Sequence, residues 1–412
     1  MKKLLTIFCG SMLSISAMAQ QPEVSELEKR IEALEATSKS MQKFKVSGYI
    51  QTQFQWGEEA ASLRIGTANE DPTKSFSRFG IRRGRIKFTY DASSLASGVF
   101  QLDITERGVS FKDAYFDLRN PWVNTVQLRA GIFDRPFGTE VAYSSSRRES
   151  PERSVIFRTL FPDERDLGAM VILQARKNSA WNFLKLEAGL FAGNGIRPET
   201  DSRRDFIGHL SADKKFGKVS LGGGVSYYNG GVWQGSPNVY TMDGNGFTLN
   251  NNADNVGKFA KREYFGADLR FVAGTTKLHA EYLWGTQPAT AGSSNSPNWT
   301  ALPTHDTYIR PFSGWYAMLV QQLGNSPFTA VLKYDVYDPN TKVAGNDIGL
   351  NGTSRTDISY NTLGLGALWA VSSAVRLQAY YEIVRNEKSE NVAGFEKDRK
   401  DNVFTLRLQY RF

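Results

Sequence analysis

The sequence predicts an all-β fold: a transmembrane antiparallel β-barrel of about sixteen strands, with a short N-terminal periplasmic helix. Three observations lead there. The chain opens with an export signal. From Phe44 to Phe412, polar and apolar residues alternate with period two in segments of about ten residues. The connections between these segments mostly alternate between long and short. No run of eighteen apolar residues is present, so no transmembrane helix is expected. A bilayer otherwise admits only a closed barrel, because every backbone N–H and C=O needs a partner.

The export signal is Met1-Lys2-Lys3, an apolar run from Leu4 to Ile15, and Ala17-Met18-Ala19. This order predicts a signal peptide over 1–19. Cys9, the only cysteine, falls inside the apolar run; anchoring a lipid there would leave that run too short. The processed chain is therefore expected to hold neither disulfide nor thiol chemistry. Losing Lys2 and Lys3 lowers the formal charge from +8 to +6. A basic exported chain suits anionic partners but not nucleic acid.

Residues 20–43 are expected to form the periplasmic helix. Val24, Leu27, Ile31, Leu34 and Met41 follow steps of three and four, with Ser38 filling one place. That is a heptad seam of about two and a half repeats. Such a helix is marginal alone. It either associates with copies of itself or lies solvated in the periplasm.

The barrel is expected over 44–412. Its predicted strands are 44–56, 79–90, 97–105, 111–120, 124–133, 167–176, 183–191, 205–215, 218–228, 261–272, 276–284, 314–323, 327–337, 360–370, 375–385 and 402–412. Long connections fall at 57–78, 134–166, 192–204, 229–260, 285–313, 338–359 and 386–401, with tight ones between them. The link at 106–110 is short where a long one is due. Long outside loops and tight periplasmic turns are the outer-membrane pattern, and an even strand number puts both termini in the periplasm. Trp56, Tyr90, Trp122, Trp284, Trp315, Trp369 and Phe412 lie at or near strand ends, as an aromatic girdle requires. The partners implied are outer-membrane lipid and lipopolysaccharide, and the location is the bacterial outer membrane.

If the apolar parity meets lipid, the other parity lines the lumen. In 79–90 that set contains Arg83, Arg85 and Lys87, about 7 Å apart along the strand. Such a column passes anions from site to site, as charged rings do in channels. The same cations could instead pair with the lumen acids Asp103, Asp113 and Asp117. Over the whole wall, lumen cations such as Arg129, Lys277, Lys333, Arg376 and Arg407 modestly exceed acids such as Glu281 and Asp335.

A connection as long as 134–166 needs a reason. Folding into the barrel as a constriction loop is one. Its six arginines, Arg135, Arg147, Arg148, Arg153, Arg158 and Arg165, can hold anions in bidentate fashion. It also carries seven acids, so it reads equally as a salt-bridged plug that sets pore diameter. The run Ser144-Ser145-Ser146 offers hydroxyl donors or simple flexibility.

Several stretches resemble the phosphate-selective porin O and P family, in the form found in Bacteroidetes-type bacteria. They are Ser77-Arg78-Phe79-Gly80-Ile81-Arg82-Arg83-Gly84-Arg85-Ile86, Lys112-Asp113-Ala114-Tyr115-Phe116, Arg129 through Gly138, the Ser-Ser-Arg-Arg-Glu region, and Asp166-Leu167-Gly168. The resemblance implies a sixteen-stranded homotrimer that passes small anions, phosphate or polyphosphate among them. It makes Arg83, Arg85, Arg129 and the loop arginines candidates for the anion path.

The residues give no enzyme signature. His209, His279 and His305 are the only histidines; none has metal-ligand spacing or a nucleophile setting. Gly222-Gly223-Gly224 lacks the Lys-Ser/Thr of a phosphate loop, and a bend or close packing explains it. The Asn-, Gly- and Asp-rich stretch 243–255 reads as a polar loop, with calcium binding as the alternative. No cofactor is implied. The leading function is passive diffusion of small anions; the alternatives are a weakly selective general porin, or an envelope tether acting through the N-terminal helix.

Overall fold

The structure is a computed structural model that describes residues 26–35, 38, 41–120 and 125–412. The expected signal peptide, Val24 and Trp122 lie outside the described residues. Residues 26–35 form helix α1. The first nine strands are β1 (Phe44–Gly57), β2 (Phe76–Asp91), β3 (Ala96–Thr105), β4 (Gly108–Arg119), β5 (Val126–Asp134), β6 (Arg165–Gln174), β7 (Leu184–Phe191), β8 (Asp205–Phe216) and β9 (Val219–Trp233). Then come β10 (Asn238–Asp243), β11 (Gly246–Asn251), β12 (Phe259–Ala273), β13 (Thr276–Ala289), β14 (Thr307–Gln322), β15 (Phe328–Asp338), β16 (Tyr360–Ala370), β17 (Val375–Asn386) and β18 (Val403–Arg411). A short helix α2 (Val155–Leu160) lies between β5 and β6.

Each wall strand pairs antiparallel with its neighbours, β9 pairs with β12, and β1 closes on β18 from Tyr49↔Arg411 to Gly57↔Val403. The wall thus has the sixteen expected strands. Period-two patterning builds it directly. In β18 the apolar Phe404, Leu406, Leu408 and Tyr410 alternate with buried Thr405, Arg407 and Gln409. In β1 the glutamines Gln51, Gln53 and Gln55 turn inward and are buried.

Beyond the patterned wall, sequence reading falls short. β13 and β14 run on to Ala289 and back to Thr307, past the expected ends at 284 and 314. This extension lies on the long-loop side, beyond the period-two segments read from the sequence. The hairpin β10–β11 lies within the expected loop 229–260, and β10 adds parallel to β14 from Val239↔Thr307 to Thr241↔Ile309.

Two irregularities shape the lumen. Between β1 and β2 the register steps from Gln51↔Arg83 to Thr52↔Ile81, leaving Arg82 as an extra residue. Between β3 and β4 it steps from Gln101↔Asp113 to Leu102↔Phe111, leaving Lys112 extra. A β-bulge re-aims its side chain, and both cations line the lumen instead of facing lipid.

Glycines shape the opposite wall. A Cβ on Gly224 would come within 2.3 Å of His209 Nε2 and 2.6 Å of Asp268 Oδ2; one on Gly222 would come within 2.0 Å of Asp213 Oδ1. His209 and Asp213 on β8 therefore reach across β9 to Asp268 and Arg270 on β12, at 2.9 and 3.1 Å. The glycine run is a crossing place for side chains.

Candidate functional site: a cationic passage beside an inward-folded loop

Residues 135–164 fold into the barrel. Their apolar side chains Phe137, Val141, Ile156, Phe157, Leu160 and Phe161 pack against lumen-facing Phe133, Phe191, Ile207, Tyr228, Tyr264, Phe312 and Tyr316. Burial of this surface against water drives the docking. The signal was present in β8, β9, β12 and β14 as adjacent apolar residues on opposite parities: Phe206-Ile207, Tyr227-Tyr228, Tyr264-Phe265 and Trp315-Tyr316. The far half of the lumen is thereby filled, and open space remains along β1–β4 and β16–β18.

Polar anchors fix the loop. Thr139 N, Thr139 Oγ1, Glu140 N and Tyr316 Oη all donate to the buried Glu281 carboxylate, at 2.9, 2.6, 2.6 and 2.7 Å. Glu140 accepts from Lys333 at 2.6 Å. Gly138 has φ +57°, and a Cβ there would sit 2.0 Å from Glu281 Oε2. At the other end of the loop, Glu152 accepts from Arg82 (2.9 and 2.8 Å), Arg83 (3.0 Å) and Arg407 (2.9 Å). Glu164 accepts from Arg153 and, at 2.8 Å, from Arg165.

Burial would push the Glu152 and Glu164 carboxyls up, but the arginines around each hold both well below the usual carboxylate range. A depressed acid contributes stability above its unfolded value, lost only as pH falls through the lower folded value. The hold of these two carboxylates on residues 150–165 is therefore expected to persist from about pH 8 down to about pH 5 and to weaken only in stronger acid, read as protease protection of that stretch. Loss of that protection above about pH 5 would show that these two acids do not hold it.

The sequence-predicted residues divide into several environments. Arg83 and Arg85 are buried, paired with Glu152 and Asp103 (3.3 Å). Arg129 is bidentate on Asp117 and over the Tyr115 ring, outside the cation-lined cavities. Arg165 pairs with Asp113 at 2.9 Å. Arg135 and Arg148 are buried, bonding backbone carbonyls of Pro162 and Glu164, and of Ser150 and Pro151. Arg153 binds the carbonyls of Glu140 and Val141 besides Glu164. Lys87, exposed Arg147 and Arg158 make no direct side-chain hydrogen bond or ion pair among the described residues.

Two adjoining cavities run through these residues. On the long-loop side, about 280 Å³ is lined by Arg64, Arg82, Arg83, Arg85, Lys112, Arg153 and Arg158 against Asp103, Glu152, Asp163 and Glu164. On the short-turn side, about 400 Å³ is lined by Arg85, Lys87, Arg147, Arg153, Arg165 and Arg411, with Ser144–Ser146, against Asp113 and Asp134. Arg85 and Arg153 border both. Sequence parity missed Arg82 and Lys112; the break from outward Phe79 and Ile81 to outward Gly84 and Ile86 was the available sign. Arg64, from the β1–β2 loop, carried no sequence signal.

The histidines are spread apart: His209 bonds Asp268, His279 stacks on Tyr143 of the loop, and His305 meets Trp299 edge-on. Among the described residues no group of three or more His, Cys, Asp or Glu is set to hold a metal.

No curated protein matches significantly. Among solved structures the chain is similar to an anion-selective porin from Comamonas acidovorans, at 12% identity over 90% of this chain and 99% of that one, TM-score 0.55. It is similar to OprB of Pseudomonas putida at 10% identity over 93% and 96%, TM-score 0.57. It is similar also to the trimer form of OmpT from Vibrio cholerae at 11% identity over 90% and 99%, TM-score 0.52. At these identities the likeness concerns the fold, a porin barrel. The family described as phosphate-selective porin O and P matches residues 50–412. With that match over nearly the whole barrel, the chain belongs to the phosphate-selective porin O and P family, the porins of the bacterial outer membrane.

Proposed function

We propose that the protein lets small anions diffuse passively across the outer membrane through the cationic passage beside β1–β4, with loop 134–166 as its constriction. The observation that carries this reading is the placement of cations without direct partners on both sides of an ion-paired belt. Arg64, Lys112 and Arg158 stand on the long-loop side, and Lys87 and Arg147 on the short-turn side. The belt of Arg82, Arg83 and Arg407 on Glu152 sets the shape, while the flanking cations set the potential. Arg83, Arg85, Arg153 and Arg165 border the path but spend most of their charge on carboxylates. Arg129, Arg135 and Arg148 act in this reading through shape alone. Phosphate is the first anion to test, on the strength of the family.

This is a channel and not an enzyme in our reading. We also propose a homotrimer, as in the OmpT structure, with α1 joining its copies: Leu27, Ile31 and Leu34 of its heptad seam are more than half exposed in the single chain. Residues 1–19 act in this scheme as the removed export signal.

The test is the reversal potential in a planar bilayer under a salt gradient. Lys87→Gln, Lys112→Gln and Arg158→Gln together are expected to cut the anion preference several-fold. Arg129→Gln is expected to leave it nearly unchanged. Equal selectivity in all variants would favour a weakly selective general porin, for which the neutralised belt already argues.

A further inference from the structure

Around most of the barrel the outward face carries aromatic residues, among them Tyr282, Trp284, Trp315, Tyr334, Trp369 and Tyr410. Three consecutive strands differ. The outward residues of β5, β6 and β7 are aliphatic: Leu128, Ala130 and Ile132, then Leu167, Ala169, Val171 and Leu173, then Leu184, Leu186, Ala188 and Leu190. The lengths of these strands, 9, 10 and 8 residues, are matched by the 10 of β3 and the 9 of β18, so the difference lies in side-chain type.

At the short-turn end of β6 and β7 lies an outward groove of about 450 Å³, floored by Leu173, Leu184, Leu186 and Leu210 and rimmed by Trp181. The nine-residue turn 175–183 carries Trp181, two-thirds exposed, stacked on Phe183 at 6.1 Å. Beside it, Lys214 Nζ stands over the Phe183 and Phe216 rings, 5.4 and 5.5 Å from their centroids. Lys214 is exposed and makes no direct ion pair among the described residues. Lys218, in the turn that follows β8, is exposed too.

We propose that this groove is a binding site for an anionic phospholipid of the periplasmic leaflet. An acyl chain lies along the leucine floor. The phosphate meets Lys214, which the two aromatic rings hold at headgroup level. Lysine stems bury against apolar surface while their charge reaches the interface, and exposed Trp belongs at the same depth. Charge complementarity selects an anionic headgroup over a zwitterionic one.

The test uses detergent-purified full-length protein, delipidated and titrated with dimyristoyl phosphatidylglycerol or phosphatidylcholine, and counts bound lipid by native mass spectrometry. Phosphatidylglycerol is expected to bind at least tenfold more tightly. Lys214→Gln is expected to abolish that preference, Lys214→Arg to restore it, and Trp181→Ala to weaken both lipids, all with unchanged conductance. Equal binding of the two lipids, or a preference unchanged in Lys214→Gln, would overturn the proposal. So would efficient disulfide cross-linking between protomers from Leu173→Cys, because the groove would then face a second copy of the chain.

Discussion

Replacing Glu152 with glutamine is expected to raise single-channel conductance several-fold and to sharpen anion preference. The carboxylate is buried and receives three guanidiniums, from Arg82 and Arg83 on β2 and Arg407 on β18. It ties the loop to the wall across the β1 seam. Glutamine keeps the shape but removes the charge, leaving three cations facing one another. Removing one partner of a buried ion pair costs about 3–5 kcal/mol, and here the strain falls on one loop. The released guanidiniums would add positive potential to the passage. Planar-bilayer recordings and a thermal unfolding scan in detergent check both parts. A variant with parental conductance and selectivity would mean that the apolar packing of α2 and the Glu281 and Glu140 anchors fix the loop without Glu152.

The Glu281→Leu variant is expected to free the opposite end of the loop. Its carboxylate collects four donors from Thr139, Glu140 and Tyr316, and leucine can accept from none of them. Each donor that water does not reach costs about 1–3 kcal/mol. The expected result is frequent gating between subconductance levels, faster proteolysis within 138–150, and intact barrel assembly. Quiet parental channels would show that the Glu140–Lys333 pair suffices. The two variants act on separate anchors, so together they distinguish a hinged loop from a uniformly loosened one.

The wall was legible because lipid imposes a strict rule on it. Across the hydrocarbon most outward residues must be apolar or small, so strand number and closure follow from alternation, as Phe404 to Phe412 illustrates, and loop side from the alternation of long and short connections. Long loops obey no such rule, which is why β10–β11 and the tall β13–β14 extension were not read.

The site was legible only in part. Parity put Arg83, Arg85 and Lys87 in the lumen, and the balance of signs warned of pairing with Asp103, Asp113 and Asp117. Which cation meets which carboxylate is a matter of ångströms between strands far apart in sequence, as with Arg407 and Glu152. Two single-residue bulges turned Arg82 and Lys112 inward against simple alternation. What the sequence determined by itself is a sixteen-stranded membrane barrel with a basic lumen. Tertiary structure alone decided that loop 134–166 fills the far half with aromatic packing and leaves cation-lined cavities on one side, because that choice rests on contacts across the lumen between residues far apart in sequence.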